Sequence, residues 1–198
     1  MGHFLLTNLL LDLLVQSAPS RIINVTAATH TRGKINKEDL NSDKQYSELD
    51  AYNQSKLANI LFTMELSERL KDKGVTVNAV NPGSALTGLY RKHDSSIGRG
   101  IGDFLTKPFM WIFFKSPQGG AQTTLYAALD PALEKVTGKY FEDCKEKEIV
   151  PHAKDGATAK WLWAVSEKWT RLSYHRKFLF SDEEPKHDPN DEGNVVIT

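Results

Sequence analysis

"SELDAYNQSKLANILFTMELSERLKDKGVTVNAVNPG", residues 47–83, decides how this chain folds. Ser47 and Asp50 resemble a capping box with a shorter acid, so a helix begins there. Leu57, Ile60, Leu61 and Met64 recur at helical spacing as an apolar stripe. Gly74 stands where a C-terminal glycine cap belongs, which predicts a helix over 47–74. "VTVNAVNPG" (75–83) then reads as a buried strand ending in Asn-Pro-Gly. Upstream, "RIINVTAATH" (21–30) holds another buried strand at 21–25, running into the small residues Thr26, Ala27, Ala28 and Thr29. Strand, helix and strand of these lengths form a βαβ unit, so the sheet is expected to be parallel and the class α/β.

Residues 2–16 are leucine-rich on almost every side, which predicts a helix that is buried or covered by a partner subunit. Residues 29–45 are polar and read as a loop. Beyond the unit, 84–116 is irregular, with glycines at 98–102 and an apolar run, "FMWIFF", at 109–114. Helices are expected over 116–130 and 156–172, with a short strand at 138–143 between them. One domain, 1–172, precedes a charged, proline-bearing tail, 173–198, that is expected to be disordered.

The 198 residues are enough for one domain with a real core. Basic and acidic residues balance at 25 each, which argues against nucleic acid as a partner. The single cysteine, Cys144, excludes an internal disulfide and fits a reducing compartment. The six histidines show no metal-ligand spacing, so no metal is expected. The run 4–15 is too short to span a bilayer and is broken by Thr7, Asn8 and Asp12. The sequons at Asn24 and Asn53 fall on a predicted core strand and a predicted helix, so glycosylation is not expected.

Tyr52 and Lys56 are four residues apart and share one face of the long helix, a face that Asn59 and Thr63 continue. A positive charge one turn from a phenol favours its ionised form. Such a phenol can give or take a proton at a carbonyl or alcohol oxygen while a cofactor handles hydride. A Tyr-x-x-x-Lys spacing by itself also fits an ordinary surface pair. Its context adds weight, because in open α/β sheets ligands bind outside the carboxyl ends of the strands, and both strand ends converge there.

"AYNQSKLANILFTMELSERL" with "VTVNAVNPGSALTGL" resembles the short-chain dehydrogenase/reductases. "GHFLLTNLLLDLL", "SAPSRIINV", "SKLANILF" and "KSPQGGAQTTLYAAL" resemble the retinol dehydrogenase branch of that family (the 11–14 type), and the resemblance covers about 1–172. It implies the C-terminal part of a Rossmann-type doubly wound parallel sheet. It also implies NADP(H) as cofactor and a retinoid-like or other lipophilic alcohol or aldehyde as substrate. By resemblance, Tyr52 is the catalytic acid/base, and Lys56 makes it more acidic and holds the nicotinamide ribose. Pro82 and Gly83, followed by Ser84, form the turn against the nicotinamide, and Thr87 supplies a hydroxyl to the cofactor. Residues 104–114 fall in the substrate-binding and membrane-facing region, where a plain core helix is the other reading. Helices 2–16 and 47–73 match a pair that forms a homodimer contact, and branch members sit on endoplasmic reticulum or mitochondrial membranes.

Two departures stand out. Counted back from Tyr52, the family's paired serines fall on Thr26 and Ala27, so the second, substrate-polarising hydroxyl is replaced by a methyl group. Thr26 is the remaining catalytic candidate; Thr29 could substitute only with a shifted backbone. The other departure is that no G-x-G-x-x-G lies between a strand and a helix. The chain therefore reads as lacking the family's N-terminal cofactor-binding half, and tight NADP binding by these residues alone is not expected. An alternative of a different class is a catalytically inactive fragment or pseudoenzyme that binds a lipid or a protein partner.

Overall fold

The computed structural model describes residues 1–83 and 115–173. Ser84, Thr87, the glycines at 98–102, the run 104–114 and the tail from 174 onward lie outside the described residues.

Four helices and four strands are described: α1 (Gly2–Gln16), β1 (Ser20–Val25), α2 (Glu48–Arg69), β2 (Val75–Asn81), α3 (Pro117–Leu129), β3 (Tyr140–Glu142), β4 (Lys145–Lys147) and α4 (Gly156–Trp169). They build one sheet in the order β1-β2-β3-β4. The first three strands are parallel, and β4 turns back antiparallel on β3. Helices cover both faces. Val75, Val77 and Ala79 pack toward α2, while Val80 packs with Ala127 of α3, and successive side chains of a strand point to opposite faces. This is the doubly wound α/β arrangement implied by the βαβ reading.

The long helix is shorter than the sequence predicts. It ends at Arg69 with Leu70 as its C-cap. Gly74 serves the next turn instead: it sits at φ +71°, and a Cβ there would come 2.9 Å from Ala18 Cβ. Only half of the capping box forms, with the Asp50 N–H donating to Ser47 Oγ at 3.4 Å. The predicted strand 138–143 is confined to 140–142, and β4 was not expected. Asp143 and Cys144 both have positive φ, 51° and 55°, which is a two-residue hairpin loop built without the usual glycine or asparagine. At the start of the predicted loop 29–45, residues Ala28–Arg32 form a 3-10 turn.

The core has three clusters. Phe4, Phe62, Leu66 and Trp163 join α1, α2 and α4 under β1 and β2. Leu57, Ile60, Leu61, Tyr140 and Leu162 continue that layer. Val80, Ala127, Leu133 and Phe141 close the other face. The face of α2 carrying Asn59 and Thr63 also packs inward, onto β1. Asn59 Nδ2 donates to the Val25 carbonyl at 3.0 Å, and Asn24 Nδ2 donates to Thr63 Oγ1 at 2.9 Å. Both sequon asparagines, Asn24 and Asn53, are buried. α1 buries only part of its surface, leaving Leu6, Leu10 and Leu13 exposed. Among the described residues, no helix is long and apolar enough to cross a membrane.

Candidate active site

The carboxyl ends of β1 and β2 lie side by side. Val25 is in register with Val80, and the Thr26 N–H donates to the Val80 carbonyl at 2.8 Å. α2 packs against both strands and against the 3-10 turn that follows β1. The sheet thereby gathers Thr26 and Ala27, Pro82 and Gly83, and the N-terminal half of α2 at one edge, where open α/β sheets bind ligands.

Tyr52 is exposed and Lys56 half-buried. The Lys56 ammonium stands 5.1 Å from the centroid of the Tyr52 ring, so the predicted same-face pair is in contact. His3, near the start of α1, feels the same charge. Burial first, and then the Lys56 charge, hold its imidazole below the usual histidine range. A cavity of about 70 Å³ between α1, α2 and α4 is lined by His3, Phe4, Asn59, Phe62 and Trp163. That is below the several hundred Å³ typical of a pocket for a ligand of drug size.

Thr26 is 3 % exposed, and its Oγ1 donates to the Lys56 carbonyl at 2.8 Å. Its hydroxyl proton is thus engaged in fastening β1 to the turn of α2 that carries the lysine. Ala27 extends past it, and its carbonyl accepts from the His30 N–H at 3.1 Å. The chain then turns into the 3-10 helix. Thr29 Oγ1 is buried there with no hydrogen-bond partner among the described residues.

Gly83 sits at φ +77°, a conformation that favours glycine. A Cβ there would come 3.2 Å from Lys115 Nζ. Lys115 pairs with Asp143 in the hairpin, and that hydrogen bond and charge hold the Asp143 carboxyl below the usual range. The Gly83 N–H donates to Asn81 Oδ1 at 2.9 Å, closing the Asn-Pro-Gly turn on its own first side chain. Asn81 before Pro-Gly is a readable turn signal. Lys115, Asp143, His30 and Glu142 carry no comparable signal, because the sheet register brings them here from distant sequence.

The short chain dehydrogenase family model matches residues 1–97. Mouse retinol dehydrogenase 14 is 49 % identical over 168 residues, covering 84 % of this chain and 49 % of that protein. Mouse retinol dehydrogenase 13 is 50 % identical over 174 residues, covering 87 % of this chain and 52 % of that protein. The chain spans about half the length of the curated relatives it matches. Among solved structures, an uncharacterized protein from Mycobacterium Paratuberculosis superposes with a TM-score of 0.60 at 33 % identity, over 86 % of this chain and 56 % of that one. The sheet, the Tyr-x-x-x-Lys helix packed on its strand ends and these similarities agree: the chain belongs to the short-chain dehydrogenase/reductase family, in its retinol dehydrogenase branch.

Proposed function

We propose that the reaction served by this chain is NADP-dependent oxidation or reduction of a retinoid-like or other lipophilic alcohol or aldehyde. The carrying observation is Tyr52 and Lys56 in contact on α2, beside strand ends that present Pro82 and Gly83. Tyr52 exposes its phenol to incoming substrate and handles the proton at the substrate oxygen. Lys56 stabilises negative charge on that phenol and, being half-buried, is held in place by Thr26 through its own carbonyl. The nicotinamide supplies or accepts hydride when bound.

The residues present fit the nicotinamide end of such a cofactor. Gly83 adds no side chain of its own to the turn, where Lys115 lies against it, and Lys56 can donate to a ribose hydroxyl. No G-x-G-x-x-G of the kind that cradles a pyrophosphate occurs in the sequence, so the contacts argued for here are those to the nicotinamide end. The Tyr52→Phe substitution in a preparation that turns over a retinoid or aldehyde should lower kcat by at least about 10², the usual contribution of a positioned acid/base. Unchanged turnover would overturn the assignment.

A second reading has its own observation. Ala27 stands where the family's polarising serine belongs, and the Thr26 proton is engaged by Lys56. This favours a non-catalytic chain that keeps the fold and binds a lipid or protein partner. Calorimetric titration with NADPH separates the two, since micromolar binding would rule out the non-catalytic reading.

A further inference from the structure

Behind the two strand ends runs a chain of polar contacts that the acid/base pair does not use. Glu142 on β3 lies in register with Asn81 on β2. Glu142 Oε1 accepts from Asn81 Nδ2 at 3.0 Å, and its Oε2 accepts from the Tyr140 hydroxyl at 3.1 Å. Burial and the adjacent Glu142 carboxylate push the Tyr140 phenol far above its usual range, so it stays a neutral donor. The Tyr140 ring meets His30 edge-on, with centroids 4.9 Å apart. His30 Nδ1 stands 2.8 Å from the Ala27 carbonyl; a carbonyl only accepts, so Nδ1 carries the proton. The path joins Gly83 to Ala27, the backbone segments that follow the carboxyl ends of β2 and β1. His30, Tyr140 and Asn81 along it are 1 %, 2 % and 5 % exposed.

An asparagine amide can be turned end for end at little cost unless its neighbours differ. Here they do. A carboxylate only accepts, so Glu142 requires the NH₂ end of Asn81. The oxygen end is then left facing the Gly83 N–H, as observed at 2.9 Å. We propose that Glu142 is a positioning residue: it orients Asn81, and through it holds the Pro82–Gly83 turn in the shape that meets the nicotinamide. The consequence for the cofactor rests on the functional reading above, whereas the control of Gly83 does not.

The test uses the full chain with Glu142→Leu and, as the conservative variant, Glu142→Gln, whose amide oxygen can still accept from Asn81. Amide hydrogen exchange followed by NMR should show Gly83 exchanging about tenfold faster in Glu142→Leu, with Val77 and Val80 unchanged and Glu142→Gln near wild type. If the leucine variant does not fold, Glu142→Lys tests the same link, because an ammonium only donates and draws the oxygen end of Asn81 away from the Gly83 N–H. The same selective rise at Gly83 is expected. NADPH titration is the second readout, with about tenfold weaker binding in Glu142→Leu and recovery in Glu142→Gln. Gly83 exchange that is unchanged, or raised equally along all of β2, would overturn the proposal. Absence of NADPH binding by the wild type would instead fail the functional reading, and Gly83 exchange would still decide this one.

Discussion

Thr26 and Ala27 stand side by side at the carboxyl end of β1, and only one carries a hydroxyl. That hydroxyl is donated to the Lys56 carbonyl, so no side-chain donor from this pair faces the substrate side. Restoring one should matter. Under the proposed chemistry, Ala27→Ser should raise kcat/KM for a retinaldehyde by up to about 10²–10³, the range associated with a single oxyanion donor. Steady-state assay of the two proteins checks this, and no gain would mean that position 27 does not face the reacting oxygen. His30 makes a different demand. Burial holds it below its usual value of 6.5, and its Nε2 has no hydrogen-bond partner among the described residues. The folded pKa is depressed, so the unfolded chain takes up the proton first as pH falls. Stability should decline as pH drops below about 6.5 and level off once the folded-state value is passed. Thermal melts at pH 7.5 and 5.5 should show a smaller loss for His30→Asn, which keeps a donor toward Ala27 and does not titrate.

At the scale of elements, α2 organises the molecule because it is buried on nearly every side. Its apolar stripe fills the core beneath β2, its Asn59 and Thr63 bond β1, and the 3-10 turn presses on its first half. The closest approach is at Gly33, where a Cβ would come 2.5 Å from the Asn53 carbonyl oxygen and 2.8 Å from Leu57 Cβ. Its φ of −66° is open to any residue, so the cost of a side chain there is purely steric. Gly33→Ala should destabilise the chain by about 1–3 kcal/mol, the usual cost of overpacking, read from urea denaturation. The helix, its start and its Tyr52–Lys56 face are legible from 47–83 alone, because capping residues and 3.6-residue periodicity are local signals. The inward role of Asn59 and Thr63 is not legible, since polar residues on a helix look solvent-facing until a strand carbonyl is placed beside them. β4 escaped for a similar reason: its Asp143-Cys144 turn uses residues that rarely announce a hairpin.

Across the whole molecule, the two edges of the sheet differ. β4 carries Lys145, Glu146 and Lys147, all exposed, which discourages further strand pairing. Near β1, α1 presents Leu6, Leu10 and Leu13 to solvent at one-turn spacing. A homodimer through helices 2–16 and 47–73, which the family resemblance implies, would cover these leucines. Replacing Leu6 and Leu10 together with glutamate should shift sedimentation to the monomer while leaving the circular dichroism spectrum unchanged; an unaltered sedimentation coefficient would remove α1 from any such contact. What the sequence determined by itself is the α/β class, the parallel unit and the identity of the Tyr-x-x-x-Lys face, because each is written in spacing along a continuous stretch. What only the tertiary structure decided is how the site is held. The engagement of Thr26 by Lys56, the Lys115 side chain over Gly83 and the line from Glu142 through Asn81 all join residues far apart in sequence. Tertiary packing, rather than local periodicity, brings them together.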